Sequence, residues 1–411
     1  MFFRYCFFLF AALWVAGCVC GRRPERPAHV APVLLISLDA FRWDYCEKYP
    51  AETPNLRRLR REGASAQALI PGFPSNTFAN HYSIVTGLRP SHHGIVNNRF
   101  FDPTNGRFFH YNQPASARDG RWWGGEPVWV TAVRQGRASA CSFWPGSEAE
   151  IAGMRPTFWK PFDYSVPFQT RLDELFGWLK LPARERPAVI TFYFEETNTV
   201  GHNAGPDSPE LAAAIKLIDG RIGELLERAK NENIALNLVV VSDHGMTGTG
   251  RERAIKLDDY LDLTTVQIDF DGPVMGLRPL AGDVEGLLQK LSKLPPQAHV
   301  FRKENLPAHL HVDDNPRYPP VWILPDPGWH VVSTSWFNSK KDKYMKGEHG
   351  YDPAQRDMHG ILIVHGPAFQ KDGRVIAAAE NIHIYNLLCA AARLQPARND
   401  GDDRLVHGLM R

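Results

Sequence analysis

The sequence has little net charge, few cysteines and a single long apolar run, and each of these shortages excludes a class of protein. Its formal net charge is only +2 and it contains no block rich in lysine or arginine, so we do not expect it to bind a nucleic-acid polymer. Of its six cysteines, only Cys46, Cys141 and Cys389 follow the N-terminal region, which is too few for a disulfide framework. One bridge among them and free buried thiols are both compatible with the sequence.

The apolar run lies at the N-terminus, where Phe7–Val19 carries no charge and follows Arg4. The run is shorter than the ~20 apolar residues that a membrane-spanning helix needs, and this arrangement is typical of a secretory signal peptide. We therefore assign residues 1–20 to an export signal and the polar, proline-bearing residues 21–31 to a linker. The expected location is outside the cytoplasm, in a periplasm or at a cell surface.

The same segment contains a short pattern, Val15–Cys18, that fits a bacterial lipoprotein processing box. Processing at this box would leave Cys18 as a lipidated N-terminus and hence as a membrane anchor. Plain cleavage near Ala16 or Gly17 is also compatible with so short a pattern, and so is an anchor that is not cleaved.

Apolar runs and helix-like segments alternate along residues 32–411. The runs typical of buried strands are PVLLISLDA (Pro32–Ala40), PAVITFYFEE (Pro187–Glu196), NLVVVSDHG (Asn237–Gly245) and HGILIVHG (His359–Gly366). The helix-like segments include Gln169–Leu181, Pro209–Asn231 and Ala377–Leu394. This alternation predicts an α/β fold with a mostly parallel central sheet and helices on both faces. Residues 258–350 are richer in proline and polar turns, and we predict that they form a smaller subdomain inserted into the single domain 32–411.

Side chains of metal-binding types stand at the ends of the predicted strands. They are Asp39, Glu195, Glu196, Asn198, His202, Asp243, His244 and His359. The loop before the last strand also holds His349 and Asp357, where a surface loop with ordinary histidines is the alternative. Because ligands of open α/β sheets bind at the carboxyl ends of the strands, we expect these side chains to converge. Gathering carboxylates and imidazoles is costly unless their charge is compensated, which a pair of divalent metal ions does. Imidazole and carboxylate together favour Zn²⁺. An aspartate after a strand is commonly a cap when taken alone, so the prediction depends on the whole set.

A threonine, Thr77, lies in an unusually constrained stretch, GFPSNTFANHYSIVTG (Gly72–Gly87), just before a helix-compatible segment. A threonine in that position commonly caps the helix. Beside a zinc ion its hydroxyl would have a lowered pKa and would be available as a nucleophile. The N–H groups of the turn would face an incoming phosphate, and the rigid surroundings would fix the position of the oxygen.

The motifs around these residues resemble those of the nucleotide pyrophosphatase/phosphodiesterase family, within the alkaline phosphatase superfamily. The similar segments are, in family order, ISLDAFR, GFPSNTFANHYSIVTGLRPSHHGIVNNRFFDP, SVPFQTRLDELFGWL, GHNAGP, VVVSDHGM and GYDPAQRDMHGILIVHGPAF. They extend from about Val33 to Phe369. The resemblance implies an alkaline-phosphatase-like three-layer sandwich and two zinc ions. It also implies hydrolysis of phosphodiester or pyrophosphate bonds in nucleotides or nucleotide diesters, with release of a nucleoside monophosphate.

The resemblance also implies a role for each matching residue. One zinc ion would be held by Asp39, Thr77, Asp243 and His244, and the other by Asn198, His202 and His359. Thr77 would attack phosphorus and form a covalent threonine–nucleotide intermediate. Asn98 would donate its amide to a phosphate oxygen, together with the backbone N–H of Thr77 or Phe78. Phe78 and an aromatic side chain near Tyr164 would hold the nucleobase.

One position departs from the family pattern. Where the family has an aspartate in E-x-P-D-x-x-G-H, this chain has EETNTVGH, so that Asn198 replaces the aspartate and Thr197 replaces the proline. An amide oxygen carries no negative charge. We therefore expect the second zinc ion to bind weakly and the activity to be reduced or unusually metal-dependent, unless the site recruits Glu195 or Glu196 instead.

Other functions stay open on the sequence. A phosphomonoesterase, a phosphonate hydrolase or a lipid-type phosphodiesterase could use the same core, although the aromatic residues Phe78 and Tyr164 favour a nucleotide. A degenerate, non-catalytic binding protein at the cell surface is a further alternative, which only Asn198 favours.

Overall fold

The computed structural model describes residues 30–341 and 343–411. The predicted export signal, Cys18 and all but the last two residues of the linker lie outside these ranges. Among the described residues, no helix is both long enough and apolar enough to cross a membrane.

Twenty strands and thirteen α-helices are found in the described residues. The strands are β1 (Val33–Leu38), β2 (Ala64–Ala66), β3 (Leu69–Ile70), β4 (Arg99–Asp102), β5 (Arg107–His110), β6 (Ser139–Ser142), β7 (Phe158–Lys160), β8 (Val189–Phe194), β9 (Asn237–Val241), β10 (Thr247–Gly248), β11 (Ala254–Lys256), β12 (Val266–Phe270), β13 (Met275–Pro279), β14 (Ala298–Arg302), β15 (Val321–Pro325), β16 (His330–Val332), β17 (Gly347–Glu348), β18 (Leu362–His365), β19 (Val375–Ile376) and β20 (Ala379–Glu380). The helices are α1 (Tyr45–Lys48), α2 (Pro54–Glu62), α3 (Thr77–Thr86), α4 (Pro90–His93), α5 (Pro114–Ala117), α6 (Val128–Arg134), α7 (Phe168–Leu179), α8 (Glu196–Ala204), α9 (Pro209–Asn231), α10 (Val284–Leu291), α11 (Thr334–Ser339), α12 (Ile384–Ala392) and α13 (Arg404–Leu409).

The central sheet has eight strands in the order β19-β2-β18-β9-β1-β8-β6-β7. Strand β1 lies between β8 and β9 and pairs in parallel with both, as do β6 with β8 and β7 with β6. Strand β18 is the exception, because it runs antiparallel to β9 and to β2. The prediction of a mostly parallel α/β sheet is therefore confirmed.

The sheet is covered on both faces, which gives three layers. Successive residues of β1 point to opposite faces, so Leu35 packs in one apolar cluster and Leu34 and Ile36 pack in the other. Helices α3, α6 and α12 contribute to the first cluster, and α2, α7 and α9 contribute to the second. Burial on both faces explains why β1 is a continuous apolar run instead of an alternating one.

The helix predicted over Ala377–Leu394 begins later, at Ile384. Residues Ala379–Glu380 instead pair in parallel with Leu69–Ile70, so tertiary pairing takes the place of the first turns of the predicted helix. A smaller antiparallel sheet, β12-β13-β15-β14, lies within the predicted insertion and packs against its own apolar cluster. The insertion bounds 258 and 350 stay a prediction.

The three cysteines of the described residues are free and buried. Of the two possibilities that the sequence left open, the structure therefore has free thiols at Cys46, Cys141 and Cys389.

Candidate functional site

The first cluster of polar side chains forms at the carboxyl edge of the central sheet. Asp39 directly follows β1, and Asp243 and His244 follow β9, the strand paired with β1. All three are buried, and each offers a ligand atom within 4.8 Å of the others. The expectation that parallel strand ends gather these residues agrees with the structure.

The ligand atoms of this cluster converge on His244 Nε2. That atom lies 3.0 Å from Asp243 Oδ2 and 3.5 Å from Asp39 Oδ1. The Thr77 hydroxyl oxygen lies 3.2 Å from the same nitrogen. His244 Nδ1 is 2.9 Å from the carbonyl oxygen of Gly245 and donates to it, which leaves Nε2 directed into the cluster.

The hydrogen bonding of the buried carboxylate oxygens shows whether this cluster fits a metal ion. Among the described residues, Asp39 Oδ1 and Asp243 Oδ2 accept no hydrogen bond of suitable geometry, although ring nitrogens of His244 and His81 lie within 3.5 Å of them. Burial, and then the charge of Asp243, raises the pKa of Asp39 to about 7. Two adjacent buried carboxylates with unsatisfied oxygens are costly, and a divalent cation would compensate both. Carboxylate oxygens with an imidazole nitrogen are a donor set that zinc accepts, so these residues fit the metal.

Two further residues of this cluster, His81 and Tyr193, were not predicted. The Tyr193 hydroxyl donates to Asp39 Oδ2, and His81 Nδ1 lies 3.2 Å from Asp243 Oδ2. Burial opposes protonation of His81, but Asp243 outweighs it and the pKa of His81 is raised. His81 follows Thr77 by four residues on α3, so helical spacing was a signal that could have found it.

The loop before Thr77 is held by side-chain amides. Helix α3 begins at Thr77 itself and Asn76 is its N-cap, so the capping role considered for Thr77 does not apply. The buried Asn80 amide accepts from the Gly72 N–H at 2.7 Å and donates to the carbonyl oxygens of Pro74 and Asn76 at 3.0 and 2.9 Å. These bonds tie the loop to the first turn of the helix and fix the position of the threonine oxygen.

Asn98 lies at the same helix N-terminus. Its Oδ1 accepts from the Phe78 backbone N–H at 2.9 Å. The side-chain amide is therefore held beside Thr77, and its Nδ2 makes no hydrogen bond within the described part of the chain. An amide donor fixed in this way suits an anion bound at the helix N-terminus.

A second cluster consists of His202, Glu348 and His349, whose ligand atoms all lie within 4.8 Å of one another. His202 is on α8, while Glu348 ends β17 and His349 follows it. The rings of His349 and His244 stack with centroids 3.6 Å apart, so the two clusters are adjacent.

The structure places the predicted second set differently from the prediction. His202 is in the second cluster, and Asn198 precedes it by four residues on α8 with a buried Oδ1 that has no partner among the described residues. His359 does not join them: its Nε2 lies 2.8 Å from the carbonyl oxygen of Pro353, and its ring lines a separate cavity beside Arg89. His349 takes the position predicted for His359.

The reason for this error is local. His359 precedes β18, whose antiparallel direction does bring its backbone to the carboxyl edge of the sheet, but its ring turns towards Pro353. His349 follows a strand of two residues, β17, which pairs with β10 directly after the His244 segment. Two residues are too short to give a sequence periodicity, so this pairing had no signal.

The departures from the family pattern in α8 also have a structural account. The Thr197 hydroxyl, where the family has proline, donates to the carbonyl oxygen of Asp39. Glu196 forms an ion pair with Arg221. Glu195 is in neither cluster, so neither glutamate is placed as the replacement ligand considered from the sequence.

Partly buried and exposed aromatic rings lie beside the first cluster. Phe78 contacts Tyr111 with ring centroids 5.4 Å apart. Phe162 lies 4.4 Å from Tyr164 and 6.1 Å from Tyr193, which binds Asp39. Phe162 thus contacts a residue of the cluster directly, whereas Tyr164 contacts Phe162 and is 71% exposed.

Known proteins are similar to this chain over most of its length. The family model described as type I phosphodiesterase / nucleotide pyrophosphatase matches residues 33–352. An uncharacterized pyrophosphatase/phosphodiesterase of Schizosaccharomyces pombe is 39% identical, over 90% of this chain and 78% of the relative. A venom phosphodiesterase of Crotalus durissus collilineatus is 36% identical, over 93% of this chain and 46% of the relative. The chain thus spans about half the length of the venom relative.

A solved structure is also similar. It is murine ectonucleotide pyrophosphatase/phosphodiesterase 5, as an inactive threonine-to-alanine variant in complex with AMP. The match has a TM-score of 0.86 and 33% identity, and covers 93% of this chain and 100% of the murine chain.

Proposed function

Because the chain belongs to the type I phosphodiesterase / nucleotide pyrophosphatase family, we propose that it hydrolyses phosphodiester or pyrophosphate bonds of nucleotides and releases a nucleoside monophosphate. The family resemblance seen in the sequence and the alkaline-phosphatase-like fold that it implied are confirmed. The observation that carries the proposal is the Thr77 hydroxyl, held 3.2 Å from His244 Nε2 at the edge of a buried carboxylate pair.

Two sets of residues would hold the metal. Asp39, Thr77, Asp243 and His244 would form one site, and Asn198, His202 and His349 would contribute to the other. Zinc ions bound there would neutralise phosphate charge and lower the pKa of the Thr77 hydroxyl. His349 replaces His359 in this assignment because of its position beside His202.

Thr77 is the proposed nucleophile. Its Oγ1 forms a bond to phosphorus while the bond from phosphorus to the leaving oxygen breaks, and the hydroxyl proton passes to solvent. Water then attacks the threonine-bound phosphorus and gives a proton to solvent, the phosphorus–Oγ1 bond breaks, and Oγ1 takes a proton back from solvent as the nucleoside monophosphate is released. Phosphoryl transfer depends mainly on the positioning of the reacting atoms and on charge stabilisation. The Asn80 amide contributes to the positioning, because it fixes the loop before Thr77.

The helix N-terminus is proposed to bind the phosphoryl oxygens. The first N–H groups of α3 have no acceptor within the helix, and that of Phe78 donates to Asn98 Oδ1. The Thr77 N–H and the Asn98 Nδ2 are therefore the donors left for a phosphoryl oxygen. These donors would face the negative charge that develops on the phosphoryl group.

The nucleobase is proposed to stack between Phe78 and Phe162, with Tyr164 at the rim. The exposed Tyr164 ring contacts Phe162 with centroids 4.4 Å apart, which is the basis for placing it at the rim. The AMP complex of the murine relative supports a nucleotide as the substrate class.

Replacing Phe162 with alanine should raise KM for a nucleotide diester by about tenfold or more, since stacking of a base on an aromatic ring contributes ~1–3 kcal/mol. Tyr164→Ala should have a smaller effect because its ring is 71% exposed. The control substrate is bis(p-nitrophenyl) phosphate, which has no base and for which both variants should match the wild-type KM. Equal KM shifts for both substrates would contradict base stacking.

The proposed function is tested with p-nitrophenyl thymidine 5′-monophosphate and p-nitrophenyl phosphate, each assayed with added zinc. We expect kcat/KM to be at least about tenfold higher for the nucleotide diester, because only this substrate gains the stacking energy. A higher value for the monoester would identify a phosphomonoesterase instead. Absence of turnover of either ester at any zinc concentration would favour a non-catalytic binding protein.

Export is part of the proposal. The N-terminal apolar run supports it, and the chain is similar to phosphodiesterases named for venom. Mass spectrometry of the mature N-terminus would distinguish a lipidated Cys18 from plain cleavage.

A further inference from the structure

We propose that Glu348 supplies the negative charge that Asn198 does not bring to the second metal site. The proposal rests on the proposed function, because it concerns a metal that this function would use. Glu348 Oε1 lies 4.0 Å from His349 Nε2 and 3.7 Å from His202 Nδ1. Zinc bonds of ~2.0–2.2 Å place two donors of one ion no more than about 4.4 Å apart, so the spacing from Glu348 to His349 is suitable.

The charge around Glu348 is the first argument. Its side chain is only 9% exposed, and no lysine or arginine lies within ion-pair distance of it in the described residues. The nearby basic groups are the imidazoles of His202, His330 and His349. A buried carboxylate without a cationic partner is costly, and a divalent ion would provide that partner.

The orientation of the two histidine rings is the second argument. His202 Nδ1 donates to the carbonyl oxygen of Gly347 at 2.9 Å, and His349 Nδ1 donates to that of Ser75 at 3.0 Å. Each ring therefore keeps Nε2 as the nitrogen with a free lone pair. Metal-binding histidines typically have their other nitrogen fixed in this way.

The other carboxylates near Asn198 are placed differently. Glu196 pairs with Arg221, and Glu195, whose buried Oε2 has no hydrogen-bond partner among the described residues, is not grouped with the two histidines. Glu348 is the carboxylate whose ligand atom lies within 4.8 Å of those of both imidazoles. With the unpartnered Asn198 Oδ1 added, the set would have four donor residues and one negative charge, the same charge as a site of two imidazoles and one aspartate.

This assignment changes the expectation drawn from Asn198 alone. The carboxylate of the second site would come from Glu348 at the end of β17 and not from helix α8. The second zinc ion should therefore bind firmly and not weakly.

The test measures zinc binding and not activity. Purified wild-type chain and the variants Glu348→Gln, Asn198→Asp, Asn198→Asp/Glu348→Gln and Glu195→Gln are dialysed with zinc. Zinc per chain is then measured by mass spectrometry, and affinity by competition with a chromogenic chelator. We expect two firmly bound ions in the wild type and in Glu195→Gln. In Glu348→Gln the second ion should bind at least about 100-fold more weakly, as a metal ligand matters no less than its supporting partners. The double variant should regain it.

Two firmly bound ions in Glu348→Gln would overturn the proposal, and so would loss of one ion from Glu195→Gln alone. A wild-type chain that binds no zinc would overturn the proposed function itself, so the two failures are distinguishable.

Asn198→Asp keeps the test valid if Glu348→Gln does not fold. A carboxylate added to a site that already has one should tighten zinc binding by less than about tenfold, because the amide it replaces already donates an oxygen. Tightening by 100-fold would show that the site lacked a carboxylate.

Discussion

Thr77→Ala is expected to lower kcat for a nucleotide diester by at least about 10⁴-fold, since removal of a nucleophile that acts with its neighbours as a unit leaves only binding and charge stabilisation. The Thr77 hydroxyl lies 3.2 Å from His244 Nε2, and the next three residues of α3 carry no hydroxyl that could replace it as nucleophile. Nucleotide binding should persist, because the aromatic rings and the helix N-terminus are untouched.

Steady-state kinetics and AMP titration by calorimetry check the two halves of this prediction separately. Thr77→Ser is the matched control, because it keeps the hydroxyl at the first position of α3 and should retain most of the turnover. Denatured Thr77→Ser reacted briefly with a radiolabelled nucleotide should carry a covalent label, and Thr77→Ala should not. Turnover by Thr77→Ala within tenfold of wild type would exclude Thr77 as the nucleophile.

The first cluster was largely predictable from the sequence, and the reason is geometric. Asp39, Asp243 and His244 each follow a long apolar strand, and parallel strands of one sheet end at the same edge. Thr77 was found because the loop before it is rich in proline, glycine and asparagine, which the structure explains through the Asn80 amide.

The second cluster was only partly predictable. Helical spacing correctly related Asn198 to His202 on α8. His349 and Glu348 depend on a two-residue strand pair far along the chain, and such a pair has no periodicity to detect. The aromatic partner of Phe78 stays a prediction, because loop rings such as Phe162 and Tyr164 are positioned by tertiary contacts that leave no periodicity in the sequence.

Asp39→Asn should separate metal binding from folding. We expect kcat/KM to fall at least about 10³-fold, because a metal ion at this site would supply several kcal/mol of charge stabilisation. The metal-free variant should nevertheless unfold at a temperature equal to or above that of the metal-free wild type. Asp39 is fully buried beside Asp243, one of its oxygens has no partner, and burial and Asp243 raise its pKa to about 7. A neutral amide of the same shape removes that cost.

The measurement is thermal unfolding of both chains with a chelator and with excess zinc. Zinc should raise the wild-type Tm more than that of Asp39→Asn, because a ligand stabilises the folded state in proportion to the logarithm of its affinity.

Asp219→Asn is the matched control. This buried aspartate accepts from the backbone N–H groups of Asn55 and Leu56, at 3.0 and 2.8 Å. Its replacement should cost ~1–3 kcal/mol of stability and leave zinc content unchanged. If metal-free Asp39→Asn were instead the less stable chain, by as much as Asp219→Asn, Asp39 would be a structural residue, and the argument that its buried charge awaits a cation would fail.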